Sequence, residues 1–415
     1  MIRFAALTLF SLIILSCSQK QQEPIVWKSI EKSLQTQFIT VSDGDTIQLP
    51  EGNFMFTQSL LMDGKKNITI LGAGKDKTIL SFKNQTDGAQ GVYITHGENI
   101  VVQDLTIQDA KGDNIKVSEV RNLTLRNIRA QWTAGPSNAN GAYALYPVLC
   151  KNVLMEGCEA IGSSDAGIYV GQSDSVIIRN NLAYWNVAGI ESENSKYVEI
   201  YGNEAYDNTG GILIFDLPGL STYGHTTKVY KNNVHDNNHE NFATPGNVVA
   251  SIPPGTGMLI LATHTLELTD NDIKDNTSVG VGIVSYDLVA ALNEGVEQQE
   301  NAIGGVQSVD NRYKEDSLYY SYPYDISIHH NRFSNDNWFP SLGNDIGKLL
   351  FFKSFGSPPD VLFDGIPAPD RPDRAICIEE NAEIVFIDLD AAHEFENLSK
   401  DASKYSCKPK SALLK

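Results

Sequence analysis

Two stretches of this chain are a single pattern written twice. Ser175–Ile190 and Tyr197–Ile212 each run apolar-x-apolar-x-x-Asn, then a short strand-like piece, then an Asn, a Gly turn and Ile-x-apolar. With the first Asn as a marker, the column extends in both directions. It reads Leu105, Ile128, Cys158, Asn181, Asn203, Asn232, Asn271 and Asn331, with steps of 23, 30, 23, 22, 29, 39 and 60 residues. A unit of about 22 residues is too short for a β-α-β crossover and too long for an ordinary hairpin. It fits three short strands joined by tight turns, at roughly 3.3 Å per residue. Alternate side chains then point into the coil while Asn and Gly supply its corners. Self-similarity at this spacing marks a solenoid, and the expectation is an all-β parallel β-helix.

The marker column carries a physical consequence. Equivalent residues of successive rungs lie about 4.8 Å apart, so they form stacks. An inward Asn at a turn can bond both the backbone and the Asn above and below, satisfying groups that burial would otherwise leave unpaired. The change from Leu and Ile through Cys to Asn is an apolar stack giving way to an amide ladder. Asn-rich sequence can also mean loops alone, but loops do not keep apolar alternation in register.

Domain organisation follows. Residues 1–17 form a leader in which Arg3 precedes the apolar run Phe4–Leu15, a run too short to span a bilayer in the usual way and typical of an export signal. Its end, Ile14–Cys17, resembles a bacterial lipobox, which implies lipid on the Cys17 thiol and a bacterial cell-envelope location; a plain signal peptide is the alternative. Residues 18–40 are a tether and a short helix, since Ile30, Leu34 and Phe38 fall on one helical face. A solenoid end needs such a cap. Residues 41–337 are expected to be the coil, interrupted between Asn276 and Asn331, and residues 338–415, with Pro358, Pro359, Pro367, Pro369 and Pro372, an irregular C-terminal cap. Cys377 and Cys407 can pair in an exported compartment, whereas Cys150 and Cys158 read as small core residues.

The net charge of −19 disfavours nucleic acid and is compatible with Ca²⁺ sites. The long steps place their additional residues mainly in one connection, beside the Gly-Ile-x-apolar strand, so loops are expected to wall a groove there. Along that groove the outward residues are read as Lys116, Tyr169 and Glu191 in one column and Tyr146, Glu193, Phe215 and Tyr286 in the next. Lys116, Tyr169, Glu191 and Glu193 are the candidate catalytic groups. Tyr169 or a His would be the base that takes the proton next to a uronate carboxylate, and a cation or Lys116 would stabilise the charge that develops. Glu191, Glu193 and Asp216 are the candidate Ca²⁺ ligands. Tyr146, Phe215, Tyr286, His225 and His239 are the candidate sugar contacts.

With these residues stated, the chain resembles the right-handed parallel β-helix repeat proteins, a broad group of carbohydrate-binding and sugar-hydrolysing repeats. Ser164–Gln172, Asn208–Gly219 and Pro254–Gly257 look like a family of uncharacterised bacterial β-helix lipoproteins, and the paired tail cysteines are similar too. The resemblance implies a right-handed, single-stranded coil. It does not bring a catalytic signature: the Asp-Pro-His-Asp of the uronate epimerases and the Asp-Asp with His-Gly of the polygalacturonases are missing from this sequence. The expected function is a monomeric exported lipoprotein, held to the membrane by lipid alone, that binds an acidic polysaccharide and processes it by lyase or epimerase chemistry. The alternatives are a non-catalytic scaffold for an exported protein partner and, more distantly, metal delivery.

Overall fold

The computed structural model describes residues 25–292, 312–380, 382–409 and 411. The leader with Cys17, and most of the segment following Leu292, lie outside the described residues. The chain winds as a right-handed parallel β-helix of three faces, and all its named strand pairs are parallel.

Face A comprises Lys66–Leu71, Lys151–Glu156, Asp174–Arg179, Lys196–Tyr201, His225–Tyr230, His264–Thr269, Tyr324–His329 and Ile376–Glu379. Face B comprises the short strands Glu159–Ile161, Leu182–Tyr184, Glu204–Tyr206, Asn233–His235, Asp272–Lys274 and Arg332–Ser334. Glu98–Gln108 and Arg121–Gln131 run across the corner from A to B without a break, which joins the two faces into one sheet. Face C is a separate 11-stranded sheet from Gln58–Asp63 to Phe386–Asp388.

The marker column is the A-to-B corner. Residues just before it, including Asp104, Asn127, Asn180, Lys231, Asp270 and His330, take positive φ, which turns the chain inward. The next side chain then enters the core. Asn181, Asn203, Asn232, Asn271 and Asn331 form a continuous ladder, each Nδ2 donating to the next Oδ1 at 2.9–3.0 Å. Asn331 closes it on the Glu380 carboxylate at 2.9 Å. In the earlier rungs Leu105 and Ile128 fill the same position and are buried.

A second ladder, Asn186, Asn208, Asn237 and Asn276, stands at the B-to-C corner. It explains the recurring glycine of the Gly-Ile pattern. A Cβ at Gly189 would lie 2.8 Å from the Asn208 amide, and one at Gly211 would lie 2.8 Å from that of Asn237.

The expected cap is the helix Glu31–Thr40, with Leu34 and Phe38 buried. Its Gln35 amide accepts from Leu61 N and donates to Leu61 O, both at 3.0 Å, so a side chain satisfies the open edge of the first face-C strand. The other end departs from expectation. The coil does not stop near Asn337: Val361–Phe363, Ile376–Glu379 and Phe386–Asp388 add further strands to faces C and A. The helix Asp345–Lys353 before the first of these strands, and the prolines between the first and the second, hide the period. Cys377 and Cys407 are disulfide-bonded, Cα to Cα 5.5 Å, and Cys150 and Cys158 are buried free thiols.

Candidate functional site

The long insertions all flank face C, but they leave both ends of its strands rather than one connection. Residues 216–224 and the described parts of the next C-to-A connection, 285–292 and 312–323, lie between faces C and A, while 132–142 and 236–255 lie between B and C. They do not wall an open groove. They fold over the outside of face C and build a second apolar layer from Leu217, Val248, Val249, Ile252, Tyr286 and Tyr313 on Leu213, Phe215 and Leu261. Phe215 and Tyr286 are therefore core residues, 2% and 0% exposed, and cannot present a ring to a sugar. Tyr286 also lies outside the strand, opening the roofing helix Tyr286–Leu292.

The outward register of face C runs Tyr93, Lys116, Tyr146, Tyr169, Glu191, Leu213 in successive rungs. Tyr146 thus shares the Lys116 column, two places from its expected position. Ala144 stands where later rungs have glycine, so no Gly-Ile word fixes the register. A slip of two preserves the face.

This column and the residues beside it form a buried carboxyl cluster. Asp113, Asp165, Glu191 and Glu193 are all at most 3% exposed. Three tyrosines pack among them, with ring centroids 4.4 Å apart for Tyr143 and Tyr146 and 4.5 Å for Tyr143 and Tyr169. The Tyr169 hydroxyl donates to Glu193 Oε1 at 2.8 Å, and Lys116 Nζ sits 4.6 Å from the Tyr146 ring centre. Both Asp113 oxygens, Asp165 Oδ1 and Glu191 Oε2 have no hydrogen-bond partner. Burial pushes the Asp113 and Glu193 carboxyls up to about 7. It drives Asp165 and Glu191 well above the carboxylate range, with their neighbours' charges adding to the rise. Burial likewise pushes the Tyr169 phenol up, and Glu193 adds to it, which removes Tyr169 as a ready base.

The cation and sugar assignments are corrected by placement. Asp216 is buried and raised by burial, and its Oδ1 accepts from Gly224 N at 2.7 Å, so it pins the insertion it heads. Among the described residues no group of three or more His, Cys, Asp or Glu is arranged to hold a metal ion, so Glu191, Glu193 and Asp216 are not a preformed Ca²⁺ site. His225 opens a face-A strand, where its ring stacks 5.6 Å from His264 and meets Tyr197 edge-on. His239 is half-buried against Phe242 in an insertion. Neither belongs to the carboxyl cluster.

The open concavity lies on face A. A trough of about 410 Å³ runs across several rungs, its floor made by Thr124, Leu154, Ile177 and Glu199. One wall begins with an exposed amide ladder. Asn99 Nδ2 donates to Asn67 at 2.6 Å, Asn122 to Asn99 at 2.7 Å and Asn152 to Asn122 at 2.7 Å. Asn67, Asn99, Asn122 and Asn152 all take positive φ, and Ser175 and Tyr197 continue the line. Beside them, in register, stand Arg121, Lys151 and Lys196, with Asp174 3.7 Å from both lysines. Two residues beyond the floor column, on the same outward side of the strands, stand Arg126, Glu156, Arg179 and Tyr201. Glu156 bridges the guanidiniums at 3.2 and 2.7 Å, and Arg179 Nε has no partner. Sequence reasoning missed this site. The available signal was a charged residue, Asn and alternating apolar residues, repeated from Lys66, Glu98, Arg121 and Lys151.

The right handed beta helix region model matches residues 63–214 and 137–294, more than half of the chain. The chain belongs to this family. Within it, the chain is 24% identical over 305 residues to the preneck appendage protein of Bacillus phage PZA, covering 62% of this chain and 34% of that protein. The pre-neck appendage protein of Bacillus phage phi29 is also 24% identical, over 292 residues, covering 59% and 33%. The β-helix thus spans about a third of the length of these relatives. Among solved structures, the A-module of Azotobacter vinelandii mannuronan C-5 epimerase AlgE4 has TM-score 0.45 and 16% identity, over 74% of this chain and 83% of that one. An alginate lyase from Paenibacillus has TM-score 0.42 and 12% identity, over 75% and 98%.

Proposed function

We propose that this β-helix protein binds an acidic polysaccharide along the face-A trough, outside the cytoplasm and tethered by lipid on Cys17. The supporting observation is the composition of the trough in a chain of net charge −19. Five cations, Arg121, Arg126, Lys151, Arg179 and Lys196, border a floor containing Leu154 and Ile177. Guanidiniums suit carboxylates, the amide ladder suits hydroxyls, and the apolar floor suits the C–H face of a sugar ring. Rungs repeat every ~4.8 Å, close to the advance of one sugar residue in an extended glycan. A periodic polymer can therefore meet equivalent groups rung after rung. Retention of alginate or pectin by residues 18–415 is expected to weaken with salt and to be lost in Arg126→Glu/Arg179→Glu. If a folded wild-type chain retains no acidic glycan, this reading is wrong.

Processing is a second reading, favoured by the carboxyl cluster of face C. Groups titrating near neutral pH suit general acid–base chemistry, but the roof must lift before Glu193 can touch a substrate. Ultraviolet-absorbing unsaturated products from alginate or pectin, lost in Glu193→Gln, would establish a lyase, and a changed epimer ratio an epimerase. Neither product from any uronate polymer would leave binding alone.

A further inference from the structure

A second cavity, of different chemistry, lies at the far end of the coil. It holds about 530 Å³, and Pro367, Pro372, Ala392 and Tyr405 are among its walls. Its polar side is tightly built. Asp388, 5% exposed, accepts at Oδ2 from Tyr405 OH at 2.6 Å and Lys404 Nζ at 2.5 Å, and at Oδ1 from Asp390 N at 3.0 Å. Asp390 pairs through Oδ1 with His393 Nδ1 at 2.6 Å and accepts at Oδ2 from Asn397 N and Nδ2 at 3.1 and 3.0 Å. The imidazole therefore has Nε2 left for a ligand.

Backbone geometry shows how firmly this wall is held. Asp390, Glu394 and Phe395 all take positive φ, at 55°, 55° and 62°, a conformation that costs free energy unless its surroundings enforce it. Gly365, at φ 81°, comes so close that a Cβ would lie 2.5 Å from Asp388 Oδ1 and 2.6 Å from Asp390 N. The loop is thus locked between a glycine contact and the four hydrogen bonds of the two carboxylates to Tyr405, His393 and Asn397.

We propose that this cavity binds a single sugar ring, neutral or amino-substituted. Tyr405 and the two prolines offer flat apolar walls, while Asp390, His393 and Lys404 line the same cavity with acceptors and donors for hydroxyls. Charge decides the class of sugar. Asp373, Asp388 and Asp390 face Lys404 and one imidazole, so the lining is net negative. Hydrogen bonding to Asp390 raises the His393 pKa, which lessens that charge only as pH falls. A uronate is repelled and an ammonium attracted, the reverse of the face-A trough. The proposal does not depend on glycan binding in that trough.

Titration of the full chain with glucosamine, glucose and glucuronate, followed by calorimetry and ligand-observed NMR, tests it. Glucosamine is expected to bind, glucose more weakly, and glucuronate not to bind. Ala392→Trp, at an exposed position of the cavity wall, fills the space and is expected to abolish glucosamine binding with an unchanged circular dichroism spectrum. Asp390→Asn, which removes one charge and frees His393, is expected to weaken binding about tenfold, the value of one charge-assisted contact. Full glucosamine affinity in Ala392→Trp, equal binding of glucuronate, or no binding of any of the three sugars would overturn the proposal.

Discussion

Asn203→Ala tests whether the amide ladder, rather than apolar packing alone, holds the A-to-B corner. Asn203 is 2% exposed. Its Oδ1 accepts from the backbone N and the Nδ2 of Asn181, both at 3.0 Å. Its Nδ2 donates to Ile178 O at 3.0 Å and to Asn232 Oδ1 at 2.9 Å. Truncation removes these four bonds, worth about 1 kcal/mol each, and orphaning the Asn181 N–H brings the loss to about 5–7 kcal/mol. A solenoid stabilises each rung chiefly through its neighbours, so the damage should be local. Equilibrium urea unfolding would read the total, and amide exchange should lose protection first around 178–181 and 200–206. Asn203→Leu separates the two explanations, because it restores volume but no hydrogen bond. It should be no better than alanine, whereas Leu105 and Ile128 occupy the same column without difficulty because the early rungs present no amide needing a partner. A leucine variant as stable as wild type, or an alanine variant losing less than about 1 kcal/mol, would refute the ladder's role.

Other expectations are sharp enough to check. Gly189→Ala would bring a Cβ to 2.7 Å from Gly211 O; it should destabilise the coil by more than the roughly 1–3 kcal/mol of ordinary overpacking, read as a fall in Tm. Glu193 is raised to about 7 from a usual 4.5. The folded state therefore holds a proton that the unfolded chain releases, so this group's stabilisation is full below about pH 4.5 and is lost as pH rises to about 7. Glu193→Gln should flatten that slope in a pH series of unfolding free energies. His264 acts oppositely: burial lowers it to about 4 from 6.5, so stability should fall as pH drops through that window, and His264→Gln should relieve the loss. Cys377→Ser opens a 30-residue loop, and chain entropy sets the cost at about 3–4 kcal/mol, measured as the loss of unfolding free energy against the disulfide-bonded wild type, with the reduced wild type expected to match the variant.

The coil was legible because its corner chemistry is local. The positive-φ residue, the inward Asn and the glycine under the second ladder fall at nearly constant spacing, so the sequence around Asn181 and Asn203 displays them directly. The last rungs were not legible, since helix 345–353 separates Val361–Phe363 from the preceding strand Arg332–Ser334, and the prolines near 367–372 separate it from Ile376–Glu379. Registers slipped by two wherever the Gly-Ile word was missing at Ala144 or duplicated at Gly280 and Gly282. Parity still placed Lys116, Tyr169 and Glu191 correctly on the outside of face C.

What the pattern could not convey was the fate of that outside. Period-2 alternation separates the two sides of a strand, but it does not say whether the outward side meets water. Face C is outward at Glu191 and Phe215 alike, yet both are buried because insertions hundreds of atoms long carry their own apolar residues, Val248, Ile252 and Tyr286, back over the sheet. The clue was composition: an outward column running Tyr146, Tyr169, Glu191, Leu213 and Leu259 carries four large apolar or aromatic residues in five rungs, too many for a wetted surface. Face A is more polar outward, with Thr124, Leu154, Ile177, Glu199 and Lys228 in one column and charged residues flanking it. Insertions should therefore be assigned to the face whose outward column is apolar, and an open binding surface sought on the face whose outward column is polar.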